Sequence, residues 1–336
     1  MGRLYVAYDR WLERLYRGEE GWNHDRTSPA PRLQCVLGDG RRPERVFVGS
    51  FEDGLHRSRD GGATFERVGA DGIGSDAVTS MAIHPSDPEV LYAGTEPSHL
   101  YRSTDGGDTW SHLPGLRDVP SEGEWAFPPR PHTDHVRCLA IDPNDPDRLY
   151  IGIEAGATIV SPDGGETFVD RPAGSRRDPH WLATHEAATG RVYLAAGDGY
   201  AQSEDAGETW THPQDGLQHR YVWGLAPDAV DPDRVLVSSA QSAHYAHHGD
   251  PPEAYVYRRT DGEPWERLDH TELPMGEGVY RHVVAAGEVG GEWFAGTTRG
   301  IYRTTDGGSD WGRIDDDWRE EYESTPPRGV SYVAER

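Results

Sequence analysis

Three groups of side chains in this 336-residue sequence have types and spacings that could do chemistry. Asp134, Glu154 and Asp198 lie in stretches that interrupt an otherwise regular pattern. A pair of carboxylates roughly 5 to 10 Å apart is what cleavage of a glycosidic bond requires. With 58 acidic residues, carboxylates are expected on every surface, so these three are candidates for acid and base and nothing more. The second group is cationic and aromatic: Arg137, His180, Trp223 and Arg281, with His135, Arg220, Tyr221 and His282 beside them. Gathered in one concavity, such residues suit a carboxylate, a phosphate or a sugar. The third group is His244, His247 and His248, whose i, i+3, i+4 spacing would present metal ligands on one face of a helix, with Asp250 as a fourth. Gly249, Pro251 and Pro252 oppose a helix there. The segment is expected to be a solvated loop, and neither a metal nor a cofactor is expected.

A further set of Asp and Thr residues is better explained by structure. The pattern S-x-D-x-G-x-T-W occurs as SRDGGATF at 58–65, STDGGDTW at 103–110, SPDGGETF at 161–168 and SEDAGETW at 203–210, with looser forms at 259–265 and 304–311. Alternating oxygen ligands resemble part of an EF-hand loop, but counting from Asp105 the position that needs Glu holds Leu116. The pattern instead predicts a tight turn between strands. Asp105 accepts backbone N–H groups, Gly106 and Gly107 take angles other residues resist, and Trp110 enters the next strand for burial.

These turns recur because they sit in a longer repeat. From Val78, VTSMAIHP, VLYAGT, LYRS and WSHL read as four short strands, the last two joined by the turn. Four strands in about 40 residues make a β-propeller blade. The unit returns from Leu33, Val136, Trp181, Val222 and Tyr280, giving six complete copies. LYVAY at 4–8 and LYRGEEGW at 15–22 supply part of a seventh, with Glu20 near the Asp position, and GVSYVAER at 329–336 matches the missing innermost strand. The expected fold is all-β: a seven-bladed propeller of four-stranded antiparallel blades, closed by pairing the C-terminal strand with N-terminal strands. A helix over residues 11–17 would leave six blades instead. No linker rich in Pro, Gly or Ser divides the repeat, so residues 1–336 are expected to form a single domain.

The boxes and the repeat resemble the BNR/Asp-box superfamily over nearly the whole chain. Its members include sialidases, Asp-box xyloglucanases, sortilin-type receptors and photosystem II assembly factors, and this chain looks most like uncharacterised prokaryotic members. The resemblance implies a propeller; it does not by itself imply an activity. Sialidases carry an F/Y-R-I-P motif, three arginines and a Tyr/Glu pair. That motif is absent here, although Arg137, Arg220 and Arg281 imitate the arginine set. The larger xyloglucanases use two propellers, and this chain has one.

Strand direction assigns the loops to two faces. First-to-second and third-to-fourth turns, including every box, share one face; second-to-third loops and the connections between blades share the other. Irregular segments at 114–135, 171–180, 240–253 and 315–328 belong to the second face, where binding residues are expected. Aligning the innermost strands places Ser331, Gln34, Thr79, Arg137, His180, Trp223 and Arg281 at one equivalent position, a ring around the channel mouth.

Composition narrows the partners. The net charge of −25 repels nucleic acid and anionic membranes, and no apolar run approaches the ~18 residues of a membrane helix. Every one of the 33 basic residues is arginine. An acidic, lysine-free surface resembles proteins of salt-loving archaea. The melting temperature should therefore rise between dilute buffer and about 2 M KCl, where the Debye length falls below ~3 Å; an unchanged value would refute salt adaptation. Cys35 and Cys138 are too few for a disulfide framework, and the N-terminus lacks a signal-peptide pattern, so a cytoplasmic location is expected. From sequence, the leading expectation is a propeller that binds a small anionic or sugar-like ligand or a partner protein at the channel mouth and carries no clear catalytic motif. A glycoside hydrolase using the channel-mouth carboxylates is the alternative, and an assembly or scaffold factor is the third.

Overall fold

The computed structural model describes residues 2–334 except 20, 270 and 316. Glu20, read as the Asp position of a degenerate box, lies outside the described residues. Seven antiparallel sheets follow one another in the order of the sequence repeat. The sheet Val78–Ile83, Leu91–Thr95, Leu100–Ser103 and Ser111–Leu113 reproduces the expected four strands. One blade departs from this: beyond Pro179–Thr184, Val192–Ala196 and Gly199–Ser203, its fourth strand shrinks to a bridge between Gln202 and Thr211. Another blade gains a short fifth strand, Gly276–Glu277, beside Glu253–Thr260.

The closing blade is built from both ends of the chain. Gly329–Ala334 pairs with Gly2–Ala7, which pairs with Leu12–Arg17 and then Trp22–Thr27. Residues 12–17 are thus a strand and not a helix. Leu12 and Leu15 turn into the core while Arg14 reaches across to the carbonyl of Gly61 and to Asp25. Leu4, Val6 and Val330 pack against Val283, Phe294 and Ile301 of the preceding blade, and Tyr5, Ala7 and Val333 against Leu33, Val46 and Val48 of the following one.

The repeated turn is held by one hydrogen-bond set. Ser103 Oγ donates to Asp105 Oδ1 at 2.8 Å and accepts Gly107 N–H at 2.9 Å. Asp105 also accepts the Thr109 N–H at 2.9 Å and the Thr109 hydroxyl at 2.6 Å. Asp60, Asp163 and Asp205 make the same bonds to Thr64, Thr167 and Thr209. Gly106 and Gly107 have φ of 72° and 89°; Ala206 holds the first of these positions at φ 59°, a strained angle the surrounding bonds enforce. Trp110, Trp210, Trp265 and Trp311 leave these turns almost fully buried, and Trp110 packs with Phe47 of the neighbouring blade.

The Asp60 carboxyl is held below the usual range, first by the Thr64 hydroxyl, then by the Thr64 N–H and the Ser58 hydroxyl. A depressed folded pKa contributes stability above the unfolded value near ~4 and loses it as pH falls through the folded value. Asn at positions 60, 105, 163 and 205 together should therefore flatten the acid limb of urea stability measured from about pH 5 down to pH 2. An acid limb as steep as that of the unaltered protein would remove the turns from the acid response.

Cys35 and Cys138 are unpaired, and each thiol packs over a glycine of the adjacent strand, Gly49 and Gly152. Burial pushes both thiols up to about 12, so they serve as small apolar side chains. Among the described residues no helix is long and apolar enough to cross a membrane.

Candidate active site at the channel mouth

The ring expected from strand alignment exists, and a local irregularity makes it. In five innermost strands the pairing register skips one residue: between Leu33 and Cys35, Val78 and Ser80, Val136 and Cys138, Pro179 and Trp181, and Val222 and Gly224. The skipped residues are Gln34, Thr79, Arg137, His180 and Trp223. A bulge re-aims the side chain it carries, and here it recurs at the same place around the channel. Arg281 lies two residues before its strand Val283–Ala286 begins, and Ser331 pairs regularly with Tyr5.

Above this ring a cavity of about 630 Å³ opens on the face away from the boxes. Trp223 anchors its wall. The guanidinium groups of Arg137 and Arg281 lie 4.5 and 4.3 Å from the Trp223 ring centre. Arg281 is fully buried, and its Nε and Nη2 have no hydrogen-bond partner. Burial, followed by the charges of Arg328 and Arg137, pulls Arg281 well below the usual arginine value. The Tyr221 hydroxyl and His247 Nε2 share a hydrogen bond of 2.8 Å, and His247 stands edge-on to Trp223. Burial, together with Arg281, holds His247 neutral.

The floor carries two carboxylates. Glu154 Oε2 bonds His135 Nε2 at 2.9 Å and faces Arg137 Nε at 3.5 Å. Burial raises the Glu154 pKa, but the His135 hydrogen bond and the His135, His180 and Arg137 charges outweigh it and hold the group well below the carboxylate range. Asp178 lies beside it, shifted the other way by burial and by the Glu154 charge, against the opposing pull of His180. One oxygen of each carboxylate and Nε2 of His180 all lie within 4.8 Å of one another, a donor set that admits a cation.

Of the carboxylates nominated from sequence, only Glu154 reaches the cavity. Asp134 is consumed by the Ser98 N–H at 3.0 Å and Arg117 at 2.6 Å, and Asp198 is exposed beside Arg176. Asp178 was missed, although a signal for it exists. Side chains two positions before the ring share its side of the strand, and Arg32, His135, Asp178 and Tyr221 all line the cavity. His135, Arg137, Trp223 and Arg281 take their expected places, and His180 sits beneath them. Arg220 is exposed and borders a separate depression near His212. His282 is buried between blades, bonded to the Pro274 carbonyl, and pushed down to about 4 by burial. Neither belongs to the site.

The His-rich segment also differs from the expected solvated loop. Ala243–His247 forms a short helix that drops His247 onto Trp223. The three histidines do not converge: among the described residues the only cluster with metal-ligand spacing is Glu154, Asp178 and His180.

No family model matches the chain. In sequence it is 28% identical over 210 residues to an oligoxyloglucan-reducing end-specific xyloglucanase of Emericella nidulans, covering 58% of this chain and 24% of that protein. It is 27% identical over 286 residues to xyloglucanase Xgh74A of Acetivibrio thermocellus, covering 70% of this chain and 32% of that protein. The chain thus spans a third or less of these curated relatives. In structure it resembles the GH74 enzyme of Niastella koreensis, with TM-score 0.69 at 17% identity, covering 92% of this chain and 52% of that one. The GH74 xyloglucanase of Xanthomonas campestris gives 0.63 at 20% identity over 85% and 45% of the two chains. YCF48 bound to a D1 peptide gives 0.57 at 16% over 84% and 80%. The structural likenesses establish the propeller. The sequence relatives overturn the expectation of a propeller that binds without catalysing, since those it matches over 58% and 70% of its length are xyloglucanases.

Proposed function

We propose that this chain is a glycoside hydrolase acting on a β-glucan-type glycan such as xyloglucan, with Glu154 and Asp178 as its reacting centre. The observation that carries this is the convergence of two carboxylates, from different blades, at the floor of the cavity. Hydrolysis of a glycosidic bond calls for such a pair. The sequence likeness to xyloglucanases supports the substrate class. Phe127, which Arg130 covers at the rim, would meet the apolar face of a sugar with its other side, while Arg137 and Arg281 would donate to its hydroxyl groups. Trp223 is already covered by two guanidinium groups, so it positions them and does not stack on sugar.

The test is release of reducing ends from xyloglucan and from its oligosaccharides in high salt, with the Asp178→Asn protein as control. Hydrolysis by the unaltered protein and none by the variant is expected; no release from either glycan overturns the reading. The four close copies of the box support placing the chain in the Asp-box superfamily, and its lysine-free, acidic composition supports adaptation to high salt.

A further inference from the structure

We propose that Glu154, Asp178 and His180 bind one divalent cation of the first transition row, Zn²⁺ or Mn²⁺. The site goes beyond the hydrolase reading and does not depend on it. In each of the three side chains one polar atom is tied back to the protein and another is left free, and the free atoms face one point. His180 Nδ1 donates to the Val222 carbonyl at 2.7 Å, so a metal would be met by Nε2, which carries the lone pair in the neutral ring. The ring is fully buried and Nε2 has no hydrogen-bond partner; it lies 3.6 Å from Asp178 Oδ2 and 4.0 Å from Glu154 Oε1. The second Asp178 oxygen, Oδ1, accepts the Ala155 N–H at 2.8 Å. The second Glu154 oxygen, Oε2, is held by His135 at 2.9 Å with Arg137 at 3.5 Å.

With His180 neutral, the Nε2 lone pair and the two carboxylate oxygens repel one another, and a positive charge held among them, a metal ion or a proton on Nε2, makes the contacts attractive; the titration below distinguishes the two. Ligand bonds of about 2.0–2.2 Å put the atoms around one ion roughly 3 to 4 Å apart, close to the separations seen. Outer atoms held by carbonyl, amide and imidazole partners are the usual support of metal ligands. One imidazole with two carboxylates is a mixed donor set, which favours Zn²⁺ or Mn²⁺ over Mg²⁺ or Ca²⁺. Arg137 approaches Glu154 from the Oε2 side and so does not occupy the point, although its charge and that of Arg281 weaken the attraction. A micromolar affinity is therefore expected. When bound, the ion would occupy the two carboxylates that the hydrolase reading uses, so loaded protein would be the inactive form in that reading.

The experiment is calorimetric titration of chelator-treated protein with Zn²⁺, Mn²⁺ and Mg²⁺, without glycan, checked by elemental analysis after gel filtration. One equivalent of Zn²⁺ or Mn²⁺ is expected, weakened at least tenfold in both His180→Ala and Asp178→Asn. The partly exposed Asp178 change tests the site even where the buried His180 change harms folding. A variant with His244, His247 and His248 all changed to Ala should keep the equivalent. Absence of binding to the unaltered protein, or loss of binding in the triple variant with retention in Asp178→Asn, overturns the proposal. Because binding is read without substrate, failure of the hydrolase reading leaves this result unaffected.

Discussion

Replacing Asp178 by Asn should reduce release of reducing ends from xyloglucan oligosaccharides by about 10²- to 10⁴-fold, the range for loss of one reacting carboxylate. The melting temperature should barely change. Asp178 is about one-third exposed, and an amide oxygen can still accept the Ala155 N–H, so the backbone link at the cavity floor survives. Glu154→Gln should abolish activity to the same extent but with a separate loss of stability. Glu154 is buried and faces both His135 and Arg137; a neutral side chain there removes the carboxylate beside Arg137 and leaves His135 only Glu96, at 3.6 Å. Removing one member of such a set destabilises by up to about 3–5 kcal/mol. The two variants therefore separate chemistry from folding. Equal residual activity in Asp178→Asn and the unaltered protein would exclude this pair from the reaction.

The largest effect on folding should come from deleting residues 329–336. Gly329–Ala334 is the innermost strand of the closing blade, and its loss unpairs Gly2–Ala7 along six consecutive positions. Val330 and Val333 are buried, one toward each neighbouring blade. Burial of a valine is worth about 1.5–3 kcal/mol, so these two alone approach the lower end of the ~5–15 kcal/mol that stabilises a typical domain. The exposed strand edge would then be free to pair with other copies. We expect the truncated chain to be aggregated or largely unfolded at 25 °C, and partial recovery of the monomer when the peptide GVSYVAER is supplied in trans. A truncated monomer melting within about 5 °C of the full chain would show that the ring holds without this strand, against the stabilisation just reckoned.

The blades were legible in the sequence because each is made by short-range interactions. The side-chain bonds of Ser103 and Asp105 that fix the turn fall between Ser103 and Trp110, so the pattern that makes the turn is also the pattern that can be read. The alternation in VTSMAI and LYAGT likewise reports which faces are buried. The closing blade was legible for a different reason: six full units plus unmatched ends leave a gap that only those ends can fill.

The site was legible only in outline. Aligning strands found the ring, yet the register skips that turn Arg137, His180 and Trp223 into the channel have no mark in the residues themselves. Glu154 stood out by its position, whereas Asp178 was hidden in a segment that looked like a connection. Asp134 and Asp198 carry the same chemistry in the sequence and are spent elsewhere, on Arg117 and Arg176. The sequence by itself determined the number of blades, their strand order and the face that carries the irregular loops and the cavity, since these follow from turn chemistry and periodicity within about 40 residues. Only the tertiary structure decided which charges meet. Glu154, Asp178 and Trp223 belong to three different blades, and their approach depends on the closure of the ring.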